Sequence, residues 1–216
     1  MQDRPAQNAN RRTSTCTGAR KPMVSPVVIG VAGTHSTGKS TFCNDLKVSL
    51  ELKGVHVATI PSFGKLAVEQ GIALLTQHTY DSTMWFIDRT LEAQQTACAN
   101  ADVVLVDRPI IDAVAYWYAA VEYRGASAAS YEIDAIDALM LSHCQNYTAV
   151  VATKLDTSVA LGPGRDTNSH FRELVDTHLH QLLGRLGIKH RVLFPQVRES
   201  LLAELQTDVF QRMRLL

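Results

Sequence analysis

Neither charge predominates in this sequence: Lys and Arg together number 21, as do Asp and Glu. A protein that coats nucleic acid or an anionic membrane needs a basic excess, so the balance argues against both. No apolar run approaches the length of a membrane span, which predicts a soluble protein. The four cysteines, Cys16, Cys43, Cys98 and Cys144, are scattered. No pair has the close spacing of a zinc site or a redox C-x-x-C, and a reducing cytoplasm is the simplest reading. Residues 1–23 almost lack large apolar side chains, and carry Arg4, Arg11, Arg12, Arg20 and Lys21 against the single acid Asp3. Such a segment cannot bury enough surface to offset its ordering entropy, which predicts a disordered basic tail. An Arg-rich, acid-poor start also suits an organelle targeting peptide, but no amphipathic face is evident. Residues 24–216 are left to form one α/β domain with a real core.

What the chain does have is Gly33-Thr34-His35-Ser36-Thr37-Gly38-Lys39-Ser40, which fits the phosphate-loop pattern G-x-x-x-x-G-K-[ST]. An apolar, β-branched run over residues 26–32 precedes it, and Phe42, Leu46 and Leu50 follow at helical spacing. Strand, glycine turn and helix is the context the motif needs. The glycines let the backbone approach an anion, and successive N–H groups with the helix dipole hold it. Lys39 supplies a cation for the outer phosphates of ATP or GTP, and Ser40 a hydroxyl for Mg²⁺, with Thr41 completing the first turn. His35 is expected to contribute shape and backbone rather than catalysis.

Further strands are predicted over residues 55–60, 101–106, 147–152 and 189–194, alternating with helices over 63–70, 80–100, 110–123, 131–143, about 170–186 and 199–215. That alternation implies a five-stranded parallel sheet covered on both faces. Asp107 stands where the strand containing Val103-Val104-Leu105-Val106 ends. The carboxyl ends of parallel strands line the ligand crevice, so Asp107 is read as the carboxylate that orients Mg²⁺ water or takes a proton. The alternative is an ordinary turn aspartate. The aromatics Phe63, Trp85, Tyr116, Trp117 and Tyr118 are expected near the acceptor side, where a base or nicotinamide ring would stack. A Trp in a helix is more often core.

Asp107-Arg108-Pro109 followed by Asp112-Ala113-Val114-Ala115-Tyr116 resembles the helix entry of thymidylate kinases and related nucleoside kinases. Arg165-Asp166 with Phe171-Arg172 resembles the arginine lid of a family of small AAA-labelled kinase-like proteins, to which nicotinamide riboside kinases are related. The phosphate loop is close to that group's, and the resemblance spans residues 27–194. It implies a three-layer kinase fold with an arginine lid. Asp107 would then serve the Mg²⁺ shell or act as base, and Arg108 would hold the acceptor's phosphate or hydroxyl end. Arg165 and Arg172, if helical, would share a face and close over the transferring phosphoryl group. The alternative for the arginines is a solvated face paired with Asp166 and Glu173. One departure stands out. The family's acid after the second strand is replaced here by Ser62, and its arginine by Lys65, in Ser62-Phe63-Gly64-Lys65.

The expectation is a Mg²⁺- and ATP-dependent kinase acting on a nucleoside, nucleotide or similar small-molecule phosphate acceptor. Lys39, Asp107, Arg108, Arg165 and Arg172 would carry the transfer. The sequence is compatible with a homodimer. The rival readings are a nucleotide-dependent switch without a small acceptor, and a binding module that lost catalysis with the acid at Ser62. A kinase of polynucleotide ends is disfavoured by the neutral charge.

Overall fold

The computed structural model describes residues 25–158 and 167–214. The basic segment 1–23 and Arg165 therefore lie outside the described residues. The buried apolar runs become strands: β1 (Val27–Ala32), β2 (Val57–Ile60), β3 (Val103–Asp107), β4 (Ala149–Thr153) and β5 (Arg191–Leu193). They form one parallel sheet in the order β2-β3-β1-β4-β5. Seven helices connect or flank them: α1 (Lys39–Glu51), α2 (Gly64–Glu69), α3 (Tyr80–Cys98), α4 (Ile110–Tyr123), α5 (Ser130–His143), α6 (Ser169–Arg185) and α7 (Arg198–Arg214).

The pleat distributes β1 between two layers. Val27, Ile29 and Val31 pack with Phe42, Leu46 and Leu50 of α1 and Leu201, Leu205 and Val209 of α7. On the other face, Ala32 joins a cluster built from α4 and α6, with Trp117, Ile136, Phe171 and Leu179 buried in it. Both faces are thus covered, as a parallel sheet requires. Because β1 lies between β3 and β4, the chain leaves the carboxyl end of β1 at the sheet's topological switch point. A crevice opens there in open α/β sheets.

Local chemistry sets the helix ends. Thr79 caps α3 by accepting the Ser82 N–H, and Ser82 Oγ accepts the Thr79 N–H in return. Asn168 caps α6 by accepting the Phe171 N–H at 3.0 Å. Arg172 lies near the start of α6, just behind that cap.

The aromatic expectation is corrected in part. Phe63 and Tyr116 line a cavity beside the phosphate loop. Trp85 instead lines a separate groove of about 930 Å³ with Pro26, Val28, Arg89 and His143, beside the start of β1. Its neighbour Phe86, about 100° further round the helix, faces the cavity. Tyr116, Trp117 and Tyr118 are likewise spread around α4: Trp117 is buried in the core, and Tyr118 stacks on His178.

Candidate functional site

Residues 33–38 form the loop between β1 and α1. Gly33 and Gly38 hold φ of 150° and 84°, and Ser36 takes φ 60° without being glycine. A Cβ on Gly33 would lie 1.8 Å from Thr153 Oγ1, so the loop also needs glycine there for room. Thr37 ties the loop down, donating to the Thr34 carbonyl at 2.9 Å and sharing a hydrogen bond with Thr153 at 2.6 Å. The first-turn N–H groups of α1, Ser40 and Thr41 among them, have no intrahelical acceptors, which suits a helix N-terminus to an anion.

Lys39 is buried, and its Nζ donates to the loop's own Thr34 carbonyl at 2.5 Å. Burial pulls its pKa down to about 7, helped by the Arg108 guanidinium and opposed by Asp112 and Asp107. A phosphate arriving at the loop would oppose both effects and hold the ammonium charged.

Ser40 Oγ donates to Asp107 Oδ2 at 2.5 Å. The other oxygen, Oδ1, is buried and has no hydrogen-bond partner. One hydroxyl beside an incompletely satisfied carboxylate is a hard-oxygen donor set that suits Mg²⁺, which retains several waters and takes few protein ligands. Ser40 and Asp107 are the residues that would hold it.

Beyond Asp107 the backbone turns sharply, with Arg108 at φ 74°, a conformation costly for a side-chain-bearing residue. The turn aims Arg108 back over the Tyr116 ring, 5.1 Å from guanidinium to centroid, and puts its NH1 3.6 Å from Asp112 Oδ2. Asp112 is 3% exposed, and its Oδ1 accepts the Gly33 N–H at 3.0 Å. Burial raises its pKa to about 6, while Lys39, Arg108 and the Gly33 N–H pull the other way. Tyr116 O accepts the His35 N–H at 2.9 Å, and His35 Nδ1 lies 3.0 Å from the same hydroxyl. Helix α4 thus grips the phosphate loop at two backbone positions.

Arg172 is 4% exposed, which removes the solvated-face alternative for it. Its NH2 points at the His35 carbonyl at 3.5 Å and its Nε has no hydrogen-bond partner. The structure therefore links the phosphate loop to Asp107 through Ser40, to Arg108 through Asp112, and to Arg172 through His35.

Against this site lies a cavity of about 440 Å³. Phe63, Val68, Leu74, Leu75, Phe86 and Tyr116 give it an apolar wall, while His35, Arg108 and Asp112 close its inner end. Ser62 and Lys65 border it as well. His78 is 2% exposed, and burial lowers its pKa to about 4 against the opposing Ala73 and Ala113 carbonyls. The roles of Asp112 and His78 were missed in the sequence. Asp112 had a signal: it is the lone acid among the residues that α4 buries, in a run otherwise made of Ile110, Ile111, Val114, Ala115 and aromatics.

The fold recurs in solved kinases. Thymidylate kinase from Candida albicans superposes with a TM-score of 0.60 at 16% identity, over 88% of this chain and 93% of that one. Deoxyadenosine kinase from M.mycoides with bound dATP gives 0.59 at 14%, over 84% and 99%. NadR protein in complex with NR gives 0.58 at 17%, over 78% of this chain but 45% of NadR. At these identities the likeness is one of fold. No curated protein sequence matches the chain. Residues 28–199 match the model of a family described as an AAA domain. That stretch takes in the phosphate loop, Asp107 and Arg172, and the chain belongs to this AAA-domain family, with a phosphate-loop fold related to nucleoside and nucleotide kinases.

Proposed function

We propose that the protein transfers the terminal phosphoryl group of ATP to a small acceptor of nucleoside or nucleotide type. The observation that carries this reading is adjacency: the 440 Å³ cavity opens directly on the phosphate loop, and His35, Arg108 and Asp112 belong to both. A nucleotide switch has no need of a second small-molecule cavity at the phosphate end, so the cavity favours a kinase over that alternative.

In this reading the loop N–H groups and Lys39 bind the β- and γ-phosphates. Ser40 and Asp107 hold Mg²⁺, which supplies charge neutralisation across those phosphates when bound. Arg172 lies within reach of the loop's His35 carbonyl, and swings its unpaired Nε toward the equatorial oxygens of the moving group. Arg165 is assigned to the same lid from its place in the sequence. The apolar cavity wall orients the acceptor and excludes water, without which ATP would be hydrolysed instead.

The test is a screen of nucleosides, nucleotides and nicotinamide riboside for acceptor-dependent ATP consumption. Turnover that rises at least tenfold with one acceptor supports the kinase. Steady ATP turnover indifferent to every acceptor returns the reading to a switch.

A further inference from the structure

We infer that the acceptor is an uncharged, ring-bearing alcohol, and that Asp112 is the carboxylate that receives its hydroxyl proton. The inference rests on the kinase reading and decides between its two acceptor classes.

Two carboxylates lie near the transfer point, and their surroundings differ. Asp107 is engaged by Ser40 on the nucleotide side and does not border the cavity. Asp112 borders the cavity. Its Oδ1 is occupied by the Gly33 N–H, which fixes the carboxylate against the phosphate loop. Its Oδ2 makes no hydrogen bond, although the side chain is almost wholly buried, and lies 3.6 Å from the Arg108 guanidinium. A buried carboxylate oxygen without a hydrogen-bond donor is costly to keep, and a substrate hydroxyl would satisfy it. After β2 the cavity is lined by Ser62, Phe63, Gly64, Lys65 and Val68, so that segment supplies no base.

The charges at the cavity select the acceptor. Arg108, the cation that lines the inner end, is opposed by Asp112 and covers Tyr116. His78 is held neutral at physiological pH, and Lys65 stands exposed at the rim. Lys39 faces the nucleotide phosphates from α1. A phosphate monoester brought to Asp112 would set a second anion against a buried carboxylate. A hydroxyl meets no such cost, and the rings of Phe63, Phe86 and Tyr116 offer stacking for a planar group.

The step balances without any further reagent. The acceptor oxygen forms a bond to the γ-phosphorus as its proton passes to Asp112 Oδ2. The bond from that phosphorus to the β,γ-bridging oxygen breaks, and ADP leaves with the electron pair. Asp112 then releases the proton to solvent. Groups facing it set its affinity for that proton: Lys39 from α1, Asp107 from β3, Arg108 from the turn and the Gly33 N–H from the loop. With a pKa of about 6 it is ionised at neutral pH and poised to accept.

The experiment compares matched nucleosides and nucleoside monophosphates as acceptors for the wild-type chain, and then Asp112→Asn with the best acceptor. The expected result is ATP consumption with nucleosides and at least tenfold less with their monophosphates. Asp112→Asn keeps an acceptor for the Gly33 N–H, so the KM for ATP should stay within a few-fold while kcat falls about a hundredfold or more. The rise of the wild-type rate through about pH 6 should vanish in that variant. A residue that only positions the loop would shift the KM for ATP and keep the pH profile. Preference for monophosphates, or an Asp112→Asn enzyme with near-normal kcat, overturns the inference and leaves the kinase standing. Indifference to both acceptor classes overturns the kinase reading and the inference with it. The acceptor comparison uses the wild-type chain, so it decides the substrate class even if Asp112→Asn does not fold.

Discussion

Lys39 and the Thr34 carbonyl show how the loop holds itself together. A buried ammonium has to meet an acceptor, and the loop's own backbone supplies one. Lys39→Ala removes a strained charge more than it removes packing. The variant should keep its circular dichroism spectrum and melt within a few degrees of wild type, yet show no measurable turnover. A folded variant with a near-normal rate would refute the phosphate-loop assignment. Asp107 is tested in parallel. Asp107→Asn keeps the hydrogen bond from Ser40 but loses the negative charge, and kcat should drop about a hundredfold with only modest loss of nucleotide binding. Ser62→Glu should be neutral or harmful, since it adds an acid at a cavity already served by Asp112. A large gain of activity in Ser62→Glu would restore the role of base to the second strand.

At the scale of elements, the segment from α2 to α3 supplies a buried neutral histidine whose protonation opposes folding. His78 has a folded pKa of about 4 against an unfolded value near 6.5. Between those values the unfolded chain binds more protons, so this contribution is present above pH 6.5 and is lost as pH falls toward 4. Asp112 works in the opposite sense, because its folded pKa of about 6 lies above the ordinary 3.8 and favours the folded state as pH falls. The two partly cancel, so the informative quantity is a difference. Denaturant titrations of His78→Phe and wild type should diverge as pH falls from 6.5 to 4, with the variant gaining about 1–3 kcal/mol relative to wild type. Parallel curves would mean that His78 does not stay neutral in the fold.

The elements themselves were largely legible. Buried parallel strands must be continuous apolar runs, and glycine, proline and polar caps mark where helices start and stop. What the sequence hid was azimuth and long-range pairing. Trp85 and Phe86 are adjacent letters on different faces of α3, and only packing decides which meets the cavity. The Asp112 contact to Gly33 spans 79 positions, and no local pattern records it. Asn168 starts α6, and such a cap is set by one residue's hydrogen bond rather than by periodicity.

For the whole molecule, the described residues include no helix long and apolar enough to cross a membrane. Residues 1–23 offer little apolar surface to any partner surface on the domain. Deleting them should change the unfolding free energy by less than about 1 kcal/mol, read from denaturant melts. A large fall would show that the segment packs on the domain. Helix α4 has a wider consequence. It presents Asp112 and Tyr116 to the loop N–H groups of Gly33 and His35, and the same two side chains form part of the cavity wall. Two ligands that lean on one helix cannot bind independently. An acceptor that settles α4 settles the loop, so it raises the affinity for ATP. Reciprocity requires ATP to raise the affinity for the acceptor by the same factor, and couplings of this kind are typically about 5- to 150-fold. On the kinase reading, the protein alone with ATP would then hold its nucleotide loosely and spend little of it, and the acceptor would license its own phosphorylation.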